Sequence, residues 1–337
     1  MRPGLLLPGA LLAVLAGGCA SPAPPDPVVA PPTPGGTTST ANPTEPPAAD
    51  SVPSATARPA PPTAKPGAAE QARLDAALIA AAWDNDLDRA RGLIRRGADV
   101  NAEDRTEQSA FLIATSEGHR ELLELTLRHG GDVDAKDSFN GTGLIGAADR
   151  GHADIAGRLI QAGVEVDHVN RLGWSALHEA IILGDGSPRY VDTVRVLVAA
   201  GADVQLPSQR DGTAPLDHAR TRGFTEIADV LRAALDRRQP PRGEANRALL
   251  AASRTGGATA AVLALRAGAD LETRDARGRT PLLLAVTQNR PAVARLLIYL
   301  GADPERADAD GVTALQHAQR RGQPEVTRLL RRASALR

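Results

Sequence analysis

A Gly-Ala-Asp triplet, or a close variant, closes a short apolar stretch repeatedly along this chain. It places an acidic residue at Asp99, Asp132, Glu165, Asp203, Asp270 and Asp303, in steps of 33, 33, 38, 67 and 33 residues. A fixed period of this size constrains the fold strongly. Each repeat is a supersecondary unit too small to bury its own apolar surface, so only a stack of such units makes a core. One copy, residues 275–311, reads DARGRTPLLLAVTQNRPAVARLLIYLGADPERADADG. Thr280 followed by Pro281 is an N-cap with proline at the first helical position, the pattern breaks near Asn289, and a second helix stops at Gly301. The unit is two short antiparallel helices and a finger-like turn.

The helix starts Ser175-Ala176-Leu177-His178-Glu179-Ala180 and Thr280-Pro281-Leu282, the inter-helix turns Gly118-His119 and Gly151-His152, and the period together resemble the ankyrin repeat family. The resemblance covers roughly residues 74–335. It implies an all-α ankyrin-repeat solenoid, helix-turn-helix plus finger turn, with about eight repeats. Repeats 1–5 fall in 70–235, a degenerate joint in 236–243, and repeats 6–8 in 244–337. Pro240-Pro241 cannot continue a helix. Yet Asp236 to Leu249 keeps the spacing of Asp203 to Leu216, which favours one continuous stack with a weak joint over two free domains. The first helix, Leu74 to Trp83, reads as a capping repeat, and the Arg-rich last helix, Glu325 to Arg332, as a polar closure. The step of 38 comes from an insertion, 184–190, that is readable either as a surface loop or as part of a binding face.

Residues 1–18 carry Arg2, an apolar run and small residues before Cys19, which reads as a signal peptide too short for a membrane span. Leu15-Ala16-Gly17-Gly18-Cys19 resembles a bacterial lipoprotein processing box and implies lipidation at Cys19, the chain's only cysteine. Residues 19–69 are rich in Pro, Ala and Thr and lack apolar periodicity, as a disordered linker does. The expected product is exported and lipid-anchored to the outer face of the cytoplasmic membrane, or to the periplasmic membrane face in a diderm host.

The formal net charge of −1 hides an asymmetry. Residues 70–235 hold 18 Arg/Lys against 27 Asp/Glu, and residues 236–337 hold 18 against 10. Candidate chemistry fails on spacing. His178-Glu179 begins a zinc helix, but Ile182 stands at the second histidine position. Asp84, Asp86 and Asp88 begin a calcium loop, but Arg89 and Arg95 stand where Gly and Glu are required. The expectation is a monomeric, non-catalytic module without cofactor, metal or nucleic acid, and with a protein partner.

The family resemblance places recognition on the concave face, built from the fingers and the outward positions of each first helix. The matching positions are Trp83 and Asp84; Ser116 and Glu117; Phe139, Asp149 and Arg150; Leu172, Trp174, Ile182 and Leu183; with Arg189 and Tyr190 of the insertion alongside. In the second block they are Arg254, Arg277, Arg279, Gln288, Arg320 and Arg321, a basic patch that leaves an anionic envelope polymer as the alternative ligand. Large apolar side chains at outward positions point to a protein contact, with Trp174 beside Phe139 as its centre. Packing of Trp174 on the adjacent finger is the competing role.

Overall fold

The computed structural model describes residues 67–236 and 240–336. The signal peptide, Cys19, the linker up to residue 66 and joint residues 237–239 lie outside the described residues. Sixteen α-helices form eight pairs among the described residues: α1 (Ala68–Trp83) with α2 (Leu87–Arg95), α3 (Ala110–Ser116) with α4 (Arg120–Arg128), α5 (Gly143–Asp149) with α6 (Ala153–Ala162), α7 (Ala176–Ile182) with α8 (Pro188–Ala199), and α9 (Pro215–Thr221) with α10 (Thr225–Leu235). A 3-10 turn, Arg242–Glu244, leads into α11 (Ala245–Thr255) with α12 (Ala258–Arg266), then α13 (Pro281–Thr287) with α14 (Pro291–Tyr299) and α15 (Ala314–Arg320) with α16 (Pro324–Ala335).

Local chemistry sets the boundaries. Ser109, Thr280 and Thr313 cap first helices by accepting the backbone N–H three residues on. Proline opens α8, α9, α13, α14 and α16, where its missing N–H costs nothing. The stop aspartates act twice. Asp99, Asp132, Asp203, Asp270 and Asp303 each accept the N–H two residues on through Oδ1. The N–H of Asp132, Asp203 and Asp303 is caught by a side chain of the preceding repeat, such as Asn101 for Asp132 at 2.8 Å and Glu272 for Asp303 at 2.7 Å, whereas Asp75 and Asn246 of the same helix pair serve Asp99 and Asp270. Five fingers then turn on a single acceptor: Asp104, Asp137, Asn170, Asp275 and Asp308 take the N–H groups two and four residues ahead.

The stack is not one continuous solenoid. First helices pack in series from α1 to α9 and again from α11 to α15, but α9 and α11 lack the packing that joins every other successive pair. Instead α12 packs on α8, and α14 on α6 and α8. The second array therefore folds back against the first through the layers of second helices, leaving the first helices of the two arrays on opposite outer sides. The physical reason lies in α8, where all ten residues from Tyr190 to Ala199 are buried. A helix buried on every side needs cover beyond its own stack. Approach is close enough that a Cβ on Gly157 of α6 would overlap the Tyr299 carbonyl of α14.

The charges at this interface are paired, although the buried Arg195 Nε has no hydrogen-bond partner. Asp192 of α8 holds Arg195 at 3.1 Å and Arg295 of α14 at 2.7 Å. Arg195 continues to Glu226 of α10, and Arg295 to Glu325 of α16 at 3.0 Å. Arg266 of α12 donates to the carbonyls of Val198 and Ala202 at the C-terminus of α8. The last helix docks as well, since Arg332 reaches both Glu121 oxygens at 3.1 Å and Asp154 at 3.7 Å. It was expected to close the stack with free polar surface.

The 184–190 insertion is bracketed by neighbours. Tyr190 is 5% exposed, and its hydroxyl donates to the Asp149 carbonyl at 2.8 Å. Gly186 lies under the Phe224 ring, and Arg222 donates to the Gly184 carbonyl at 2.8 Å. The insertion ties repeats three, four and five together.

Two results should follow. Protein cleaved between Asp236 and Gly243 should elute from gel filtration with both halves together under native conditions. Asp192→Ala, which takes from Arg195 and Arg295 the carboxylate they share and leaves each with one acidic partner, should destabilise the chain by about 2 kcal/mol in urea denaturation. Separate elution of the halves of the cleaved parent would contradict the interface.

Candidate functional site

With the second helices inside, each array presents its first helices and fingers outward. On the first array, Trp83 ends α1 with 48% exposure, Phe139 tips the third finger, and Leu183 follows α7; these are its three exposed large apolar side chains. Leu172 and Ile182 are partly exposed beside them. Between Trp83 and Leu183 the surface turns polar, with Ser116, Glu117, Asp149 and Arg150. Arg150 is held by Glu117 at 3.3 Å and Asp149 at 3.9 Å. Burial raises the Asp149 carboxyl above the usual range, against the pull of Arg150. Asp84 belongs to the α1–α2 turn, whose Asp86 caps α2 through Arg89 N–H.

Two expected contact residues have other roles. Tyr190 is a packing residue, as its burial shows, while Arg189 stays exposed with its guanidinium 4.8 Å from the Tyr190 ring. Trp174 does not stack on Phe139. It is partly buried, with the Arg210 guanidinium of the next finger 5.5 Å from its ring. Gly173 beside it leaves no room for a side chain against Arg210 N and Gln209. Fingers are tied in series here: Arg171 N–H donates to the Phe139 carbonyl at 2.8 Å, and Gln209 N–H to the Gly173 carbonyl at 2.9 Å. Trp174→Ala should therefore cost about 2 kcal/mol of stability, read from the urea midpoint at unchanged m-value.

Sequence reasoning missed Glu179. It is 3% exposed, accepts from Asn170 Nδ2 at 2.8 Å through Oε1, and has no hydrogen-bond partner for Oε2. Burial first, with Asp149 and Asp137 adding, pushes its carboxyl up to about 7. The finger acceptor of this repeat is Asn rather than Asp, and its amide is what donates to Glu179. The neighbouring His178 goes the other way. Burial lowers it to about 4, and its Nδ1 accepts the Ser175 N–H at 3.2 Å in a capping box. Because folded Glu179 keeps its proton to higher pH than the unfolded chain, it lowers stability progressively from about pH 4.5 to about pH 7. Glu179→Gln should consequently stabilise the protein by about 2–3 kcal/mol at pH 8 and little at pH 4.5. A pH-independent difference in urea denaturation would contradict this.

On the second array, Arg254, Arg277, Arg320 and Arg321 are exposed and have no ion-pair partner among the described residues, with Gln288 exposed among them. Arg279 is different: Asp275 takes its Nε at 3.0 Å and Nη2 at 2.7 Å, so its charge is neutralised locally. Among the described residues no group of three or more His, Cys, Asp or Glu side chains is arranged to hold a metal ion. No helix among them is long and apolar enough to cross a membrane.

The family profile described as ankyrin repeats in three copies matches residues 77–170, 110–208, 144–239 and 248–335. The chain belongs to the ankyrin-repeat family. It is similar to the ankyrin repeat protein YahD of Escherichia coli (strain K12), with 37% identity over 145 residues, 43% of this chain and 72% of that protein. It is also similar to the crystal structure of an ankyrin repeat domain from Acinetobacter baumannii AYE, at 47% identity over 47% of this chain and 80% of that one, with a TM-score of 0.45. Ankyrin-repeat proteins are, as a class, protein-interaction modules and typically non-catalytic.

Proposed function

We propose that this protein is a monomeric, non-catalytic ankyrin-repeat module that binds a protein partner on the concave face of its first array. Lipid at Cys19 tethers it outside the cytoplasm, on the outer face of the cytoplasmic membrane or the periplasmic membrane face of a diderm. The observation that carries the binding role is the placement of Trp83, Phe139 and Leu183. These are the exposed large apolar side chains among the described residues, and all three stand on the face that the family uses for recognition. The tether rests on sequence: small residues before a lone Cys19 at the end of an apolar run, then a Pro/Ala/Thr-rich linker. About 50 such residues reach roughly 40 Å as a coil, enough to hold the repeats clear of a bilayer surface.

Mass spectrometry of the mature chain should find a diacylglyceryl-modified Cys19 at the N-terminus, and Cys19→Ala should release the protein into the soluble fraction. An unmodified N-terminus beyond Cys19, or equal release of parent and variant, would remove the anchor. The basic second array supports a second reading, an anionic envelope polymer held by Arg254, Arg277, Arg320 and Arg321, because these side chains are exposed without carboxylate partners among the described residues. That mode would weaken steeply with added salt.

A further inference from the structure

The first-array face contains a notch that packing alone does not explain. Gly146 lies mid-helix in α5, at the register position held by Ile113 one repeat earlier and Glu179 one repeat later. Glycine is a poor residue for a helix interior, and an alanine Cβ here would meet nothing closer than the Ser116 Cβ at 3.4 Å, an ordinary contact. The backbone therefore does not require glycine at this point, and the missing side chain opens the floor of a groove that runs from Trp83 to Arg150.

A second, independent feature is the polar lining of that floor. Thr142 lines the groove, is only 4% exposed, and its buried hydroxyl has no hydrogen-bond partner. Unlike Ser109, Thr280 and Thr313, Thr142 makes no side-chain cap of its helix. A buried hydroxyl left unpaired is costly, so a ligand toward which the Thr142 side chain turns relieves that cost. The charge around it is negative. Asp137, Asp149 and Glu117 line the groove, and the one arginine there, Arg150, is already engaged by Glu117 and Asp149. Asp137 and Asp149 also act on the buried Glu179 carboxylate of the next repeat. These carboxylates are not grouped closely enough to chelate a metal ion. An organic cation on a flexible stem suits the wider spacing, and Trp83 at the rim offers a ring face to it or to its neighbour.

We infer that the groove across repeats one to three takes an extended basic peptide segment, which places an arginine or lysine in the notch at Gly146 between Asp137 and Asp149. Three first helices spaced ~10 Å apart give ~20 Å of groove, the length of about six extended residues. The inference rests on the protein-binding role proposed above and names the partner's chemistry.

The test is a display library of random octapeptides selected on the full-length protein, with the best sequences then synthesised and measured by calorimetry. The expected selection shares an arginine or lysine beside an apolar residue. Affinity should fall at least tenfold in Gly146→Leu and in Asp149→Asn. Gly146→Ala serves as the folding control, and its melting temperature should equal or exceed the parent's while affinity still drops several-fold. Selected peptides that lack a cation, or that bind all three variants as they bind the parent, would overturn the notch assignment and leave the protein-binding role standing. Failure to enrich any sequence over a control carrying the linker alone would count against both.

Discussion

A helix buried all round needs cover on every side, and α8, in which Tyr190 to Ala199 are all buried with Asp192 and Arg195 among them, is such a helix. Its neighbours in the first array, α6 and α10, cover its flanks, and the first helix α7 covers its outward side. The remaining side is closed by α12 and α14 from the far end of the chain. Burying this layer forces the chain to double back after α10. Asp192, Arg195 and Arg295 are the polar consequence: charges on second helices that would lie in water in a simple stack now meet across the interface as a connected set of ion pairs, with the buried Arg195 Nε left unpaired.

The repeat itself was legible in the sequence because its determinants are local. Glycine at the stop, an aspartate that receives the next N–H, and Ser/Thr or proline at helix starts each act within a few residues. The doubling back is non-local, yet it left two marks. The run YVDTVRVLVAA in α8 is apolar around most of the helix, which a solvent-facing second helix would not be. The second mark is that α11 begins in the same way as α1. Both are longer than the inner first helices, and in both an early side chain, Asp75 or Asn246, catches the stop aspartate N–H 24 residues later. The interior repeats that use Asn101 and Glu272 do this at 31 residues. Repeat six is thus built as a beginning, even though the spacing from Asp236 to Leu249 looked like continuation.

For the site, exposure was readable for Trp83, Phe139 and Leu183, since register decides it. Register could not foresee Tyr190, which an inserted turn swings inward to the Asp149 carbonyl, or Trp174, which the next finger overlays with Arg210. Glu179 was hidden for a related reason. Charge alone suggests a solvated carboxylate, and the closeness of α5 and Asn170 removes it from water.

Back-to-back packing of the arrays also fixes what two bound ligands could do to each other. Four helix layers separate the acidic groove from the exposed arginines, on the order of 30 Å at 8–10 Å per layer. Ligands on the two faces cannot touch, and a single short segment cannot span both, so neither face raises the effective concentration seen by the other. Any thermodynamic linkage between them has to pass through the middle of the molecule, where α6 and α8 meet α12 and α14 and where Gly157 leaves no slack against Tyr299. The same seam that holds the chain together is the one physical route by which occupancy on one side could be felt on the other.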